Sequence, residues 1–398
     1  MNFYDYIKTP QAEFEEKYIN TRLVMRNEHP TFPLYIYAYG REAVHEQVWD
    51  YVTMRCRGII VHKETGEIIA RPFEKFFNYG TANMPETDPT DWTVFGLSDR
   101  WKVNEPTVWE KVDGFLCTGY KWDGRWYVAS KGSFTSPHAK WATNWLQGHG
   151  WLNMYLPDSK TPVFEGICSS LRIVVDYGAR EEMVLLALID NETGEEMPPE
   201  QLKLWAECVN VSVARQHDIT MQEAHQNTYD ESVKNKEGYV LTWYRTGQPP
   251  FRLKLKFADY LRLHRLVTGV SPKHILEVLR NGWTTELDEY FNASTPWFSH
   301  FVTKWKRTIE GEYERIDNHS KIIYAGVLET VQNSPVYKNL GDIRKEFAYH
   351  FTKPENVEFS GVLFAMLDGK DYKQVIWKKV KNAPFMKGGH TLVDAHTI

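Results

Sequence analysis

Arg252-Leu253-Lys254-Leu255-Lys256-Phe257 alternates a cation with an apolar residue at every step. Side chains of a β-strand point to opposite faces with a period of two. The stretch therefore predicts a strand with Arg252, Lys254 and Lys256 on one face and Leu253, Leu255 and Phe257 on the other. A solvated charged face is the plain reading of such a strand. The alternative is a cationic face that neutralises a phosphate while the apolar face anchors the strand.

Upstream of this strand the chain reads as mixed α/β with many strands. Residues 57–61, a polar turn at 62–66 and residues 67–71 read as a hairpin. Residues 114–122 and 125–130, joined by Asp123-Gly124, read as a second, because Asp-Gly favours the tight hairpin turn. Residues 163–165, 183–190 and 239–244 also read as strands. The fold class expected is α+β, an antiparallel sheet with inserted helices. After Phe257 the texture changes. Ser271-Pro272 predicts a helix start and Asn281-Gly282 its stop, with Ile275, Leu276 and Leu279 on one face. Thr295-Pro296 opens a longer pattern in which Phe298, Phe301, Val302, Trp305, Ile309, Tyr313 and Ile316 recur at three- and four-residue steps, weakened only by Gly311. The tail after Pro384, with Gly388-Gly389, is expected to be loosely ordered.

The composition sets outer limits. A chain of 398 residues suggests two or three domains, and 42% hydrophobic with 25% charged residues is an ordinary globular balance. The aromatic share of 14% fits a large core as well as base stacking. A net charge of -5 argues against a non-specific nucleic-acid coat, but not against one focused cationic groove. Cys56, Cys117, Cys168 and Cys208 form no C-x-x-C pair, so free thiols are expected rather than a zinc ribbon. No signal peptide is read at the start, and the apolar run at 183–189 is too short to span a bilayer. A cytoplasmic protein is the expectation. The 14 histidines are scattered, and neither a phosphate-binding G-x-x-x-x-G-K-[ST] loop nor H-E-x-x-H nor G-x-S-x-G is present.

Three other short segments place reactive groups at strand signals. Glu110-Lys111-Val112-Asp113-Gly114 puts a lysine before an Asp-Gly turn, between strands. Most lysines are solvated. One that attacks phosphorus must be unprotonated, so its site is expected to lower its pKa by burial or nearby cations. Glu165 ends Pro162-Val163-Phe164-Glu165-Gly166, and Glu237 opens Glu237-Gly238-Tyr239-Val240-Leu241. Each is a strand-end surface charge or a carboxylate able to bind a ribose hydroxyl or a hydrated magnesium ion.

In this order, K-x-D-G, F-E-G, E-G-Y-V and K-x-K resemble the covalent nucleotidyltransferase superfamily of ligases and capping enzymes. Arg55-Cys56-Arg57-Gly58-Ile59-Ile60, Arg71-Pro72-Phe73-Glu74-Lys75-Phe76-Phe77-Asn78, Ser130-Lys131-Gly132-Ser133 and Leu171-Arg172-Ile173-Val174-Val175 narrow the resemblance to the phage RNA ligase 1 family. It covers most of the chain up to Tyr260.

The resemblance implies an ATP-dependent RNA ligase, with an adenylyltransferase domain over 1–258, a helical domain over 259–384 that selects the RNA, and a tail over 385–398. It makes Lys111 the nucleophile for the α-phosphate of ATP, with Lys254 and Lys256 contacting that phosphate. Glu237 positions a magnesium ion (manganese as a substitute) with its waters, and Glu165 holds the ribose or the metal shell. Arg57 and Lys75 orient the β- and γ-phosphates, Lys131 and Glu110 lie at the nucleotide, and the 183–189 strand walls the adenine. Arg172 is read as structural or functional with equal weight. Val112 stands where the family often has an acid. The implied partner is RNA with 5′-phosphate and 3′-hydroxyl ends, single-stranded or a broken tRNA, acted on by a monomer without a membrane. The rivals are a DNA ligase or a guanylyl-transferring capping enzyme, disfavoured by helix signals that begin at Ala258 in place of a small β-barrel, and a non-catalytic RNA-binding relative.

Overall fold

A computed structural model describes residues 1–80, 105–245, 248–283, 296–333 and 340–386. The chain divides into two units, Met1–His264 and Arg265–Ala395.

The first unit is α+β, with three sheets among the described residues. The N-terminal sheet runs β1 (Val24–Glu28), β2 (Leu34–Tyr39), β3 (Arg57–His62), β4 (Ile68–Ala70), each antiparallel to the next. The second comprises β7 (Phe115–Trp122), β8 (Arg125–Ala129), β9 (Lys160–Ile167) and β10 (Glu182–Asp190) in the order β10-β9-β7-β8. The third comprises β5 (Phe77–Asn78), β6 (Thr107–Lys111), β11 (Gln216–His217), β12 (Gly238–Arg245) and β13 (Gln248–Lys256) in the order β11-β6-β12-β13-β5. It is antiparallel except where β5 runs parallel to β13.

The expected hairpin at Asp123-Gly124 forms β7 and β8. Both turn residues are left-handed, at φ 48° and 74°, the geometry that matches the twist of paired strands. Helices Pro137–Gly148, Gly150–Tyr155 and Pro199–Cys208 cover one face of the second sheet, burying Cys117, Phe164, Met183, Leu185 and Leu188. Its other face meets the third sheet across Trp109, Val112, Ile167 and Val184. The apolar face of β13 behaves as the alternation predicts: Leu253, Leu255 and Phe257 pack with Leu241, Val174, Val175 and Tyr260.

The second unit is helical over its described residues. Helix Pro272–Asn281 starts at Ser271, whose side chain accepts from the His274 amide, and stops at left-handed Gly282. Helix Pro296–Gln332 spans 37 residues, with Gly311 inside it. Phe298, Val302, Ile309 and Ile316 form its buried stripe, packed with helices Leu340–Phe351, Ser360–Leu367 and Tyr372–Lys381. The short turn Pro384–Met386 buries Met386, and Gly388-Gly389 lies outside the described residues. Among the described residues no helix is long and apolar enough to cross a membrane.

Candidate functional site

Strand register places two lysines together. Gly238 of β12 pairs with Lys111 of β6 on one side and with Lys256 of β13 on the other. Directly opposed residues share a face, so Lys111 and Lys256 flank a residue without a side chain. Only glycine fits there: φ is 151°, and a Cβ would lie 1.9 Å from the Leu255 carbonyl oxygen. Glu237, one residue earlier and 4% exposed, bridges the two lysines. Its Oε2 accepts from Lys111 Nζ at 2.8 Å, and its Oε1 lies 2.9 Å from Lys256 Nζ.

The next row pairs Trp109, Val240 and Lys254. Lys254 Nζ lies 4.6 Å over the Phe76 ring. Burial, reinforced by Arg57, Lys111, Lys75 and Lys256, holds its pKa well below the usual lysine range. Arg252, two residues back on the same face, is drawn off into a bidentate pair with buried Glu196.

Lys111 differs from the expected lowered pKa. Burial favours the neutral amine, but Glu237 and Glu165 outweigh it, and the pKa is raised. Lys111 is thus held as an ammonium against Glu237. Lys111 also ends strand β6 rather than lying between strands, and the chain passes at Asp113-Gly114 from the third sheet into the second.

Asp113 is not a solvated turn residue. Its Oδ2 accepts from the amides of Val174 and Val175 at 2.8 and 2.6 Å, and its Oδ1 from the Tyr260 hydroxyl at 2.8 Å. The Asp113 amide donates to the Tyr177 hydroxyl at 2.9 Å. Sequence reasoning missed Asp113, Tyr177 and Tyr260 as site residues. The Asp in K-x-D-G was the available signal, but its partners lie 61 to 147 residues away.

Glu165 of β9 stands in register with Leu116 and Val184, on the face opposite Phe164. Burial raises its carboxyl to about 7, against the pull of Lys111 and Arg57 and with the push of Glu237 and Asp113. Only one face of β10 is available as an apolar wall here. Val184 and Leu186 pack with Trp109 and Val112, whereas Met183, Leu185 and Leu188 turn toward the helices.

A second cationic group adjoins the first. Gly58, at φ 94°, lets the backbone after Arg57 approach that of Lys131; a Cβ would lie 2.8 Å from the Lys131 carbonyl oxygen. Lys131 Nζ sits 4.1 Å over the Tyr39 ring, and Lys75 Nζ 4.7 Å over Trp49. Burial would raise the Tyr39 hydroxyl, but Lys131, Arg57 and Lys75 together lower it. Burial lowers Lys75, and Arg57, Lys131 and Lys256 add to the effect. Tyr39 is a further residue that no motif announced. Arg57 lies 5.4 Å from the Phe76 ring, and its buried Nη1 has no hydrogen-bond partner among the described residues.

The site thus gathers Arg57, Lys75, Lys111, Lys131, Lys254 and Lys256 around Glu165 and Glu237, an excess of positive charge suited to a polyanion. One expected residue, Glu110, falls elsewhere, and Arg172, read either way, has an acidic partner of its own. Glu110 alternates to the other face of β6, where its charge acts on Tyr177 and His217. Arg172 pairs with Asp176 at 2.8 Å within its own loop.

A half-buried lysine bridged through one glutamate to a second lysine, among further cations on packed antiparallel sheets, is a constellation suited to an anionic ligand. Residues 55–260 match the RNA ligase family model of the phage T4 type 1 class, and the chain belongs to this family. It is 29% identical over 231 residues to a protein of Thermovibrio ammonificans provisionally named RNA ligase, covering 55% of this chain and 56% of that one. It is 24% identical over 409 residues to an RNA ligase of Rhodothermus phage RM378, covering 89% of this chain and 90% of that one. The chain therefore spans just over half the length of the first relative and most of the second. An archaeal ATP-dependent RNA ligase superposes with a TM-score of 0.42 at 12% identity, covering 77% of this chain and 72% of that one.

Proposed function

We propose that this protein is an ATP-dependent RNA ligase that joins a 5′-phosphate to a 3′-hydroxyl through AMP carried on Lys111. The observation that carries the reading is the Lys111–Glu237–Lys256 bridge beside Lys254, Arg57 and Lys75. In the first step the Lys111 amine attacks the α-phosphorus of ATP; the N–P bond forms, the bond to the β-phosphate oxygen breaks, and pyrophosphate leaves. Lys254 and Lys256 hold the α-phosphate oxygens, while Arg57 and Lys75 hold the β- and γ-phosphates. In the second step an oxygen of the RNA 5′-phosphate takes the AMP and frees Lys111. In the third the RNA 3′-hydroxyl attacks that activated phosphate, and AMP leaves. Each is an in-line displacement in which positioning and fixed charge do most of the work.

Lys111 must first release a proton to solvent, which its partly exposed side chain reaches. Glu237 holds it charged in the nucleotide-free protein, so attack requires this carboxylate to be engaged elsewhere. Among the described residues no group of three or more His, Cys, Asp and Glu is placed to hold a metal. Glu237 and Glu165 instead suit an ion that arrives with the phosphates of its substrate and needs only one or two protein carboxylates. Magnesium held there would supply charge stabilisation at the phosphate oxygens.

The finer reading is a monomer acting in the cytoplasm on single-stranded RNA or a broken tRNA, with the helical unit selecting the RNA. Four free cysteines fit a reducing compartment. Exposed Lys373, Lys378 and Lys381 on helix Tyr372–Lys381 fit contacts to an RNA backbone. The test is incubation with α-labelled ATP and magnesium, with labelled GTP in parallel. Label from ATP on the denatured chain is the expected result; label from GTP alone would make the protein a guanylyltransferase.

A further inference from the structure

Beside the cation cluster lies a cleft of about 800 Å³ that the steps above leave unused. It is bounded by the Tyr51–Arg55 helix, the 71–77 segment and part of β13. Lys75 and Phe76 belong to both spaces. They line the cleft, and they also face the cluster, where Phe76 lies under Arg57 and Lys254. The cleft therefore adjoins the end of the site assigned above to the β- and γ-phosphates.

Its wall combines cations with aromatic rings. The Arg55 guanidinium lies 3.3 Å from the Tyr51 ring centroid, and Lys8 Nζ lies 4.9 Å from it. Tyr51 is 41% exposed, and Trp49 stands beside it under Lys75. Arg55 pairs with Glu74 at 3.3 Å, yet its buried Nε has no hydrogen-bond partner among the described residues. Aromatic rings and guanidinium planes that bases stack on, next to cations for phosphates, are the chemistry that grips single-stranded nucleic acid.

In-line geometry says which part of the RNA belongs there. In the first step Lys111 and the departing pyrophosphate lie on opposite sides of the α-phosphorus. In the second step Lys111 is itself the leaving group, so the incoming 5′-phosphate oxygen must approach from the side the pyrophosphate vacated. In the ligase reading that side is the one held by Arg57 and Lys75, and Lys75 also lines the cleft. We propose that the cleft holds the 5′-terminal nucleotides of the RNA while its 5′-phosphate attacks the AMP on Lys111. The proposal rests on the ligase reading.

The two can be tested separately in the full chain with Tyr51→Ala and Lys8→Glu, both exposed positions outside the adenylylation machinery, checked by matched thermal melting. The first measurement is the rate of chain labelling by α-labelled ATP. The second is AMP transfer from the preformed labelled protein to a 5′-phosphorylated oligoribonucleotide at varied concentration. Labelling should keep the parental rate in both variants. Half-saturation by the RNA should rise about tenfold in each, within the range expected for one lost stacking or phosphate contact. Unchanged half-saturation in both variants would overturn the proposal, as would labelling by ATP that falls in step with transfer, since the cleft would then serve the nucleotide. A parent chain that takes no label from ATP would overturn the ligase reading, and the donor cleft with it.

Discussion

Lys111 and Lys256 stand two strands apart with only Gly238 between them, and both ammonium groups bond the same carboxylate, Glu237. The position of Glu237 depends on the glycine that follows it, because the backbone turns there through a conformation closed to other residues. Removal of that glycine therefore tests the whole arrangement.

Gly238→Ala places a methyl group against the Leu255 carbonyl oxygen, 1.9 Å from the ideal Cβ position. The strained backbone alone costs about 1–3 kcal/mol, and β13 must shift, carrying Lys256 from Lys111. A lowered melting temperature and a labelling rate reduced more than tenfold are expected. Parental values for both would show that the register does not depend on this glycine.

Lys111→Ala should lose labelling by ATP entirely, because no neighbouring group replaces the N–P bond. Joining of RNA that already carries AMP on its 5′-phosphate should persist at a reduced rate, since that step does not use the lysine. The assay has two arms, ATP with 5′-phosphorylated RNA and pre-adenylylated RNA alone. Activity in the first arm would exclude Lys111 as nucleophile.

Glu165 carries a pH signature. Its carboxyl is raised to about 7 from its ordinary 4.5, so between these values the native chain binds a proton that the unfolded chain has lost. Stability of the nucleotide-free protein should therefore fall as pH rises through this window and level off above it. The difference corresponds to roughly 3 kcal/mol. Glu165→Gln should flatten the profile and melt higher than the parent at pH 8, with little difference at pH 4.5. Parallel profiles for the two proteins would reject the assignment.

Lys373, Lys378 and Lys381 are exposed on one short helix, whereas the neighbouring Lys379 donates to the Glu358 carbonyl. Replacement of the three exposed lysines by Ala should leave labelling by ATP intact, weaken RNA sealing and reduce the slope of log affinity against log salt by up to about 2. A slope equal to the parent's would place RNA contacts elsewhere.

Much of both units was legible because the signals are local. The alternation in 252–257 sets which side chains share a face whatever the strand packs against. Asp123-Gly124 makes its own turn, and Ser271 and Gly282 end a helix through bonds to the nearest amides and carbonyls. Motif order likewise pointed to Lys111, Glu165, Glu237, Lys254 and Lys256 as one set, and the strands bring them together. Local pattern could not distinguish residues of equal type. Arg252 and Lys254 share a face and a charge, yet one is taken by Glu196 and the other faces Lys111. The 183–189 run read as one apolar wall, but pleating commits alternate residues to opposite cores. Asp113, Tyr39 and Tyr260 gained their roles only from partners far along the chain. The protonation of Lys111 was decided in the same way. Burial and nearby cations were expected to lower its pKa, but the carboxylates of β9 and of the turn before β12 come closer and raise it. The kind of residue at each position and its local conformation follow from covalent neighbours. Its charge state, its partners and the side of a sheet that becomes a site depend on which strands pack together, because Coulomb forces and desolvation act through space and not along the chain.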